Sequence, residues 1–409
     1  MSAESRALMD RETIFEASVD YFLGPIREFL LDETVTEVMV NGPSEIYIER
    51  GGRLYRTSAR FVSEDALLSA IHNIAQYVGR EIDGDRPILD ARLPDGSRVH
   101  AIIPPSCRIG TCLTIRKFQR GIFSLTEVIK LGSLSESAAE FLSLAVLLRK
   151  NIVVAGGTGT GKTTFLNALS TAVPESERIV VIEDSSELRL SQQHCIYLES
   201  QQGDVDGSGA VTIRQLFKAS LRMRPDRIIV GEVRGGEALD MVQSMISGHS
   251  GSMTTVHATA PRDALTRLET LSLMSDVELP VYVARAQVAS AINVVVQLSR
   301  FTEDGSRKVT RITEQTGLDD QNRYQFQDLF VSRLTGRTET GRIIAQLDPT
   351  AQGHPSPTNF GSRDCSIAYG TRRRSGADNP AGVPAIRARR DNSVASTARH
   401  NRYNPRCQV

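Results

Sequence analysis

Residues 156–164 read GGTGTGKTT and follow directly on the apolar run Ile152, Val153, Val154, Ala155. Gly156, four intervening residues, Gly161, Lys162 and Thr163 satisfy the phosphate-binding loop pattern in full. The chemistry demands those residue types. Glycines let the backbone curl until successive N–H groups face one point and hold an anion. A helix starting near Lys162 aims the positive end of its dipole at the same point. In this reading Gly156, Gly157, Thr158, Gly159, Thr160, Gly161, Lys162, Thr163 and Thr164 bind a nucleotide, with ATP and Mg²⁺ as the expected cofactors. Lys162 would reach the β- and γ-phosphates, and the Thr163 hydroxyl would ligate Mg²⁺. The bland alternative is a glycine-rich turn with a chance lysine. The helical run Phe165, Leu166, Ala168, Leu169 favours strand, loop, helix, the context that the motif requires.

Outward from the loop, helical and strand patterns alternate from about residue 126, the signature of a mostly parallel sheet and an α/β fold. Strands are expected at 152–155, 179–182, 228–230, 253–256 and 293–297. Helices are expected at 138–148, 163–171, 238–246 and 281–291, a loop at 203–209, and a hairpin-like meander to 330. The runs at 179–182 and 228–230 are continuous and β-branched, as in strands buried on both faces. Ahead of residue 120 the pattern differs. An amphipathic helix over 12–32 is interrupted by Pro25, and a strand is expected at 36–40. A hairpin turns at Gly51-Gly52. A helix is capped by Ser63 and stopped by Gly79. Further strands are expected at 97–103 and 111–117. The chain therefore divides into a small α/β domain over 1–118, a linker over 119–125, a larger α/β domain with the phosphate loop over 126–349 and a tail over 350–409.

The 409 residues give room for two or three domains. The net charge is zero, but residues 361–409 hold ten Arg, no Lys and three Asp, so that stretch is strongly basic and the rest is acidic. The tail reads as disordered. Its charge suits nucleic acid or anionic lipid, although a solvated tail without a partner is the plainer expectation. No apolar run approaches the roughly 20 residues of a membrane span, and the first residues lack an apolar signal core. Five scattered cysteines form no CxxC pair, consistent with reduced thiols in a cytosolic protein.

A phosphate loop needs acids for Mg²⁺ and for the attacking water. Two acidic clusters stand at expected strand C-termini, where α/β sheets present ligand sites. One is Glu183-Asp184 with Glu187; the other is Glu232. Each alone would pass for an exposed loop carboxylate. His249 and His257 flank Gly251–Thr255. A lone histidine is more often structural than catalytic, yet one beside the nucleotide can sense the γ-phosphate. No Cys or acid stands at metal-ligand spacing beside them. Arg92, Arg98 and Arg116 in the first domain, and Arg222, Arg224, Arg227 and Arg234 around the second acidic strand, read as surface charge or as cations for phosphoryl transfer.

Taken together, MRPDRIIVGEVRGGEALD and SGHSGSMTTVHATAPRDALTRLE resemble the traffic ATPases of type II and type IV secretion, most closely the Tad/Flp pilus-assembly (CpaF-like) branch. RIVVIEDSSEL resembles that family's acidic box, GEVRG its magnesium-site strand and SGHSGSMTTVHA its histidine box. VMVNGPSEIYIERGGRL and ARLPDGSRVHAIIPP resemble its N-terminal domain. The resemblance implies an N-terminal PAS-like α/β domain followed by a RecA-like P-loop ATPase domain, a homohexameric ring, and nucleotide bound between the two domains. It implies that Glu183 is the base, that Glu232 acts on Mg²⁺ or water, that His249 and His257 form the histidine-box pair, and that Arg98 and Arg116 face the phosphates. It also implies inner-membrane platform proteins of a pilus or secretion machine as partners of a cytoplasmic, peripherally associated motor. A conjugation-type DNA-transfer motor and a nucleotide-binding switch are the alternatives. The motor core lacks the aromatic and basic interleaving of a single-strand binder, so nucleic acid is not expected there. Two departures stand out: a short N-terminal extension, and an Arg-rich tail where a compact final helix is expected.

Overall fold

Two sheets carry the fold in this computed structural model, which describes residues 21–118, 124–201, 203, 209–338 and 341–350. The early part of the 12–32 helix, most of the 119–125 linker, most of the 203–209 loop and the basic tail lie outside the described residues.

The first sheet is antiparallel and six-stranded. A 3₁₀ turn, Gly24–Ile26, interrupts the leading helix where Pro25 sits, and α1 (Arg27–Leu31) follows. Strands β1 (Val35–Asn41), β2 (Ile46–Arg50) and β3 (Arg53–Arg56) form a meander whose second turn is Gly51-Gly52. Helix α2 (Glu64–Tyr77) begins where the Ser63 side chain accepts the Ala66 N–H. It ends before Gly79, which adopts φ +71°, a conformation that glycine takes without strain. Strands β4 (Ile88–Arg92), β5 (Arg98–Ile102) and β6 (Cys112–Arg116) complete the order β3-β2-β1-β6-β5-β4. The apolar stripe of α2 (Leu67, Ile71, Ile74) shares one core with Val38, Val40, Ile46, Ile48, Leu113 and Ile115.

The second sheet has nine strands, in the order β15-β14-β13-β12-β7-β11-β10-β8-β9. Ser124 caps α3 (Leu125–Lys130) through a capping box, and α4 (Glu136–Leu147) leads to β7 (Ile152–Gly156). Then come α5 (Lys162–Ser170), β8 (Ile179–Glu183), β9 (Cys195–Glu199), α6 (Ile213–Ser220), β10 (Arg227–Val230), α7 (Glu237–Ile246) and β11 (Met253–His257). Helices α8 (Pro261–Leu273) and α9 (Val281–Ala291) precede β12 (Val294–Arg300). Strands β12, β7, β11, β10, β8 and β9 run parallel. The antiparallel meander β13 (Arg307–Leu318), β14 (Tyr324–Arg337) and β15 (Ile343–Pro349) extends the sheet beyond the expected end at 330. Every residue of β7 and β8 is buried, as their unbroken apolar runs require. All six parallel strands end on one edge, the edge where such sheets hold ligands.

The two sheets meet at their turns. A Cβ on Gly52 would come within 2.9 Å of the Gly305 carbonyl, and one on Gly305 within 2.9 Å of the Gly51 carbonyl. After β15, the Thr350 hydroxyl donates to the Asp328 carbonyl (2.7 Å) and its N–H to that of Leu329 (2.9 Å). Truncation after Thr350 leaves these bonds in place and removes a segment with no core-forming composition. The unfolding temperature is therefore expected to stay unchanged; a clear drop in a thermal melt would show that the tail packs.

Candidate functional site

The phosphate loop bridges β7 and α5. Gly161, at the N-cap of α5, has φ +86° and Gly159 φ +71°. Gly156 is required for a different reason: a Cβ there would lie 2.5 Å from Thr160 Oγ1 and 3.0 Å from the Leu298 carbonyl. Thr160 Oγ1 donates to the Gly157 carbonyl (2.9 Å), tightening the loop. Lys162 is only 7 % exposed and donates to the same carbonyl (3.0 Å). Burial lowers its pKa from the ordinary lysine value.

The two carboxylates stand at neighbouring strand ends, since β8 pairs with β10. Glu183 closes β8 and is 4 % exposed. Its Oε1 accepts the N–H groups of Glu187 (2.9 Å) and Leu188 (3.0 Å). Burial outweighs those bonds and pushes its carboxyl up to about 7. Glu232 follows β10. Its Oε1 accepts Arg234 Nε (3.0 Å) and lies 3.2 Å from His257 Nε2, and its Oε2 accepts Arg234 Nη2 (3.3 Å). Burial opposes ionisation of Glu232, but the hydrogen bond and charge of Arg234 prevail and hold it below the ordinary carboxylate value. His257 ends β11, 3.4 Å from Lys162 Nζ through Nε2. Burial, then the Lys162 charge, lowers its pKa, so the ring stays neutral at pH 7.

The first sheet supplies the arginines. Arg98 lies 3.1 Å and Arg116 3.9 Å from Glu187 Oε1, and Arg98 Nη2 donates to the Ser185 carbonyl (2.8 Å). Arg92 reaches the same loop through Ser185 Oγ (3.0 Å) and the Ser186 carbonyl (2.5 Å). A cavity of about 360 Å³ thus gathers Lys162, Thr163, Glu183, Glu232, His257 and both Arg98 and Arg116.

His249 is not brought there. It precedes β11, at the end of the strand opposite to His257, and its carbonyl accepts Ser252 Oγ (2.8 Å). Its Nδ1 is buried with no hydrogen-bond partner among the described residues. The strand spans five residues, roughly 13 Å from its first Cα to its last at the usual rise, so within one chain the expected histidine pair is split. Sequence reading also missed Arg300, Arg307 and Glu49, which line the adjoining cavity of about 300 Å³. No motif marks them. The donor set fits Mg²⁺: one hydroxyl (Thr163) and one carboxylate (Glu232) on one cavity suit an ion that takes one or two protein oxygens beside phosphates.

A phosphate loop on a RecA-like sheet, an N-terminal α/β domain against it, and acids and a histidine at neighbouring strand ends define a P-loop ATPase. A profile of the family described as "Type II/IV secretion system protein" matches residues 22–345, and the chain belongs to that family. The putative conjugal transfer protein MT3759 of Mycobacterium tuberculosis is 35% identical over 295 residues, covering 71% of this chain and 83% of the relative. The type IV secretion system protein PtlH of Bordetella pertussis is 38% identical over 321 residues, covering 72% and 94%. The ATPase DotB of Yersinia pseudotuberculosis shares the fold at a TM-score of 0.51 and 16% identity, covering 71% of this chain and 78% of that structure. Among the described residues no helix is long and apolar enough to cross a membrane.

Proposed function

We propose that this chain hydrolyses Mg-ATP as a homohexameric motor that powers a pilus-assembly or protein-secretion machine, docked on inner-membrane platform proteins from the cytoplasmic side. The convergence of Lys162, Glu183, Glu232 and His257 with Arg98 and Arg116 of the first sheet on one cleft carries this reading. Lys162 and the N–H groups at the head of α5 hold the phosphates. Glu183 titrates near neutral pH, takes a proton from the attacking water and returns it on product release. Thr163 and Glu232 would hold Mg²⁺, which when bound neutralises charge on the phosphate oxygens. His257 links Lys162 to Glu232, a position from which loss of the γ-phosphate changes its partners. Arg98 and Arg116 bring cations to the transition state from the first domain, whose boundary with the motor we place within 119–125. The motif boxes favour the Tad-type branch.

Multiple-turnover phosphate release from Mg-ATP tests the reading; a single-turnover burst without further release would leave only a switch. A ring that completes sites between subunits predicts specific activity that rises with protein concentration. Full activity in a strictly monomeric fraction, checked by light scattering, would remove the hexamer from the proposal. The name of the M. tuberculosis relative favours one second reading, a DNA-transfer motor, and salt-dependent DNA binding by the full chain would support it.

A further inference from the structure

Arg300 and Arg307 are direct cross-strand partners in the β12–β13 ladder. Like charges facing each other across a ladder destabilise it, unless an anion lies between them. Here the anion comes from the other sheet. Glu49 Oε1 lies 3.3 Å from Arg300 Nη2 and 3.6 Å from Arg307 Nη2. The Glu49 side chain is 13 % exposed, and a carboxylate buried to that degree needs a cation. Both arginines also touch the phosphate loop. Arg307 Nε donates to the Gly159 carbonyl (2.9 Å), and Arg300 Nη1 would stand 3.1 Å from a Cβ at Gly159.

The other flank of the loop repeats the pattern. Arg98 and Arg116 are direct partners in the β5–β6 ladder, and Glu187 lies against both. Two facing arginine pairs, each held by one carboxylate, therefore line the same cavity as Gly159, Gly161 and Thr163. Its lining carries five basic side chains and three carboxylates, leaving an excess of positive charge. A nucleotide's phosphates carry more charge than one carboxylate and suit the planar guanidinium fork.

We propose that Arg300 and Arg307 form a second phosphate-facing arginine pair, and that Glu49 is the built-in anion which a nucleotide's phosphates displace from it. The proposal rests on the nucleotide reading of the loop. It makes Glu49 a positioning residue that opposes binding, whereas a merely structural ion pair would support it.

Calorimetric titration of the full chain with ADP and with a non-hydrolysable Mg-ATP analogue separates the two. Glu49→Gln keeps the side-chain shape and removes the competing charge. It is expected to tighten nucleotide binding by about fivefold or more, the scale of a typical coupling between sites. Arg307→Ala should weaken binding, and in the double variant the gain from Glu49→Gln should disappear, as expected for residues that act through one another. Unchanged or weaker binding by a folded Glu49→Gln variant overturns the proposal. So does a gain that survives Arg307→Ala. If Glu49→Gln fails to fold, Glu49→Asp draws the carboxylate back by one methylene and must shift affinity in the same direction. A wild-type chain that binds neither nucleotide would instead refute the reading of the loop.

Discussion

Lys162→Ala is expected to abolish ATP hydrolysis while leaving the fold intact. The ammonium is nearly buried at the head of α5, and its hydrogen bond reaches the Gly157 carbonyl of the loop it serves. Among the described residues, no other lysine lines the cavity that holds Glu183, Glu232 and His257. Removing one preorganised donor from a reaction centre costs about a hundred- to thousandfold in turnover, and a whole charge at the transferring phosphoryl should cost at least that. The fold has little reason to suffer. Burial already disfavours this charge, and alanine is a better helix former than lysine. Phosphate release and a circular-dichroism melt on the same preparation check both halves. A folded variant with near-normal turnover would remove the basis of the ATPase reading.

Glu183→Gln should bind Mg-ATP nearly normally and hydrolyse it far more slowly, since a group acting only on the attacking water contributes to the transition state and little to ground-state binding. General-base catalysis supplies about a hundred- to ten-thousandfold, and that is the loss expected. The amide can still accept the N–H groups of Glu187 and Leu188 through its oxygen, so the β8 terminus should hold. The pH profile follows from the raised pKa. A base must be unprotonated, so kcat/KM of the wild type should rise with pH through about 7 and level off above it. The variant should lose that limb. Glu232→Gln should instead raise the Mg²⁺ concentration needed for half-maximal activity. A metal shift in the Glu183 variant with none in the Glu232 variant would mean that the two roles are reversed.

The phosphate loop was legible because its chemistry is local: glycines, lysine and threonine act within nine residues of one another. Glu183 and Glu232 were legible because an acid after a buried β-branched run in an α/β pattern falls on the ligand edge. The distance of His249 from the cavity was not legible, for a related reason. Spacing along the chain does not say which end of a strand a residue occupies, and the five residues of β11 carry His257 to the ligand edge and leave His249 at the other. Strand β4 went unseen because it is an edge strand with Leu89 its sole buried residue, which leaves no alternation to read. Arg300, Arg307 and Glu49 were invisible for a tertiary reason. Ladder register and the meeting of two hairpins bring them together, and neither leaves a pattern in a single strand.

The meeting of the hairpins has a mechanical side. Strand β12 lies beside β7 over five paired positions, the last being Leu298 against Gly156. Two residues beyond, Arg300 grips the Gly52 carbonyl at the β2–β3 turn. That turn abuts Gly305 so closely that a Cβ on Gly52 would meet the Gly305 carbonyl at 2.9 Å. A displacement of the loop glycine therefore has a short path into the first sheet: one ladder rung, two residues of strand and one guanidinium. Such a linkage would pass movement at the nucleotide into the neighbouring sheet through few joints, as a machine that turns bond cleavage into movement requires of its gears.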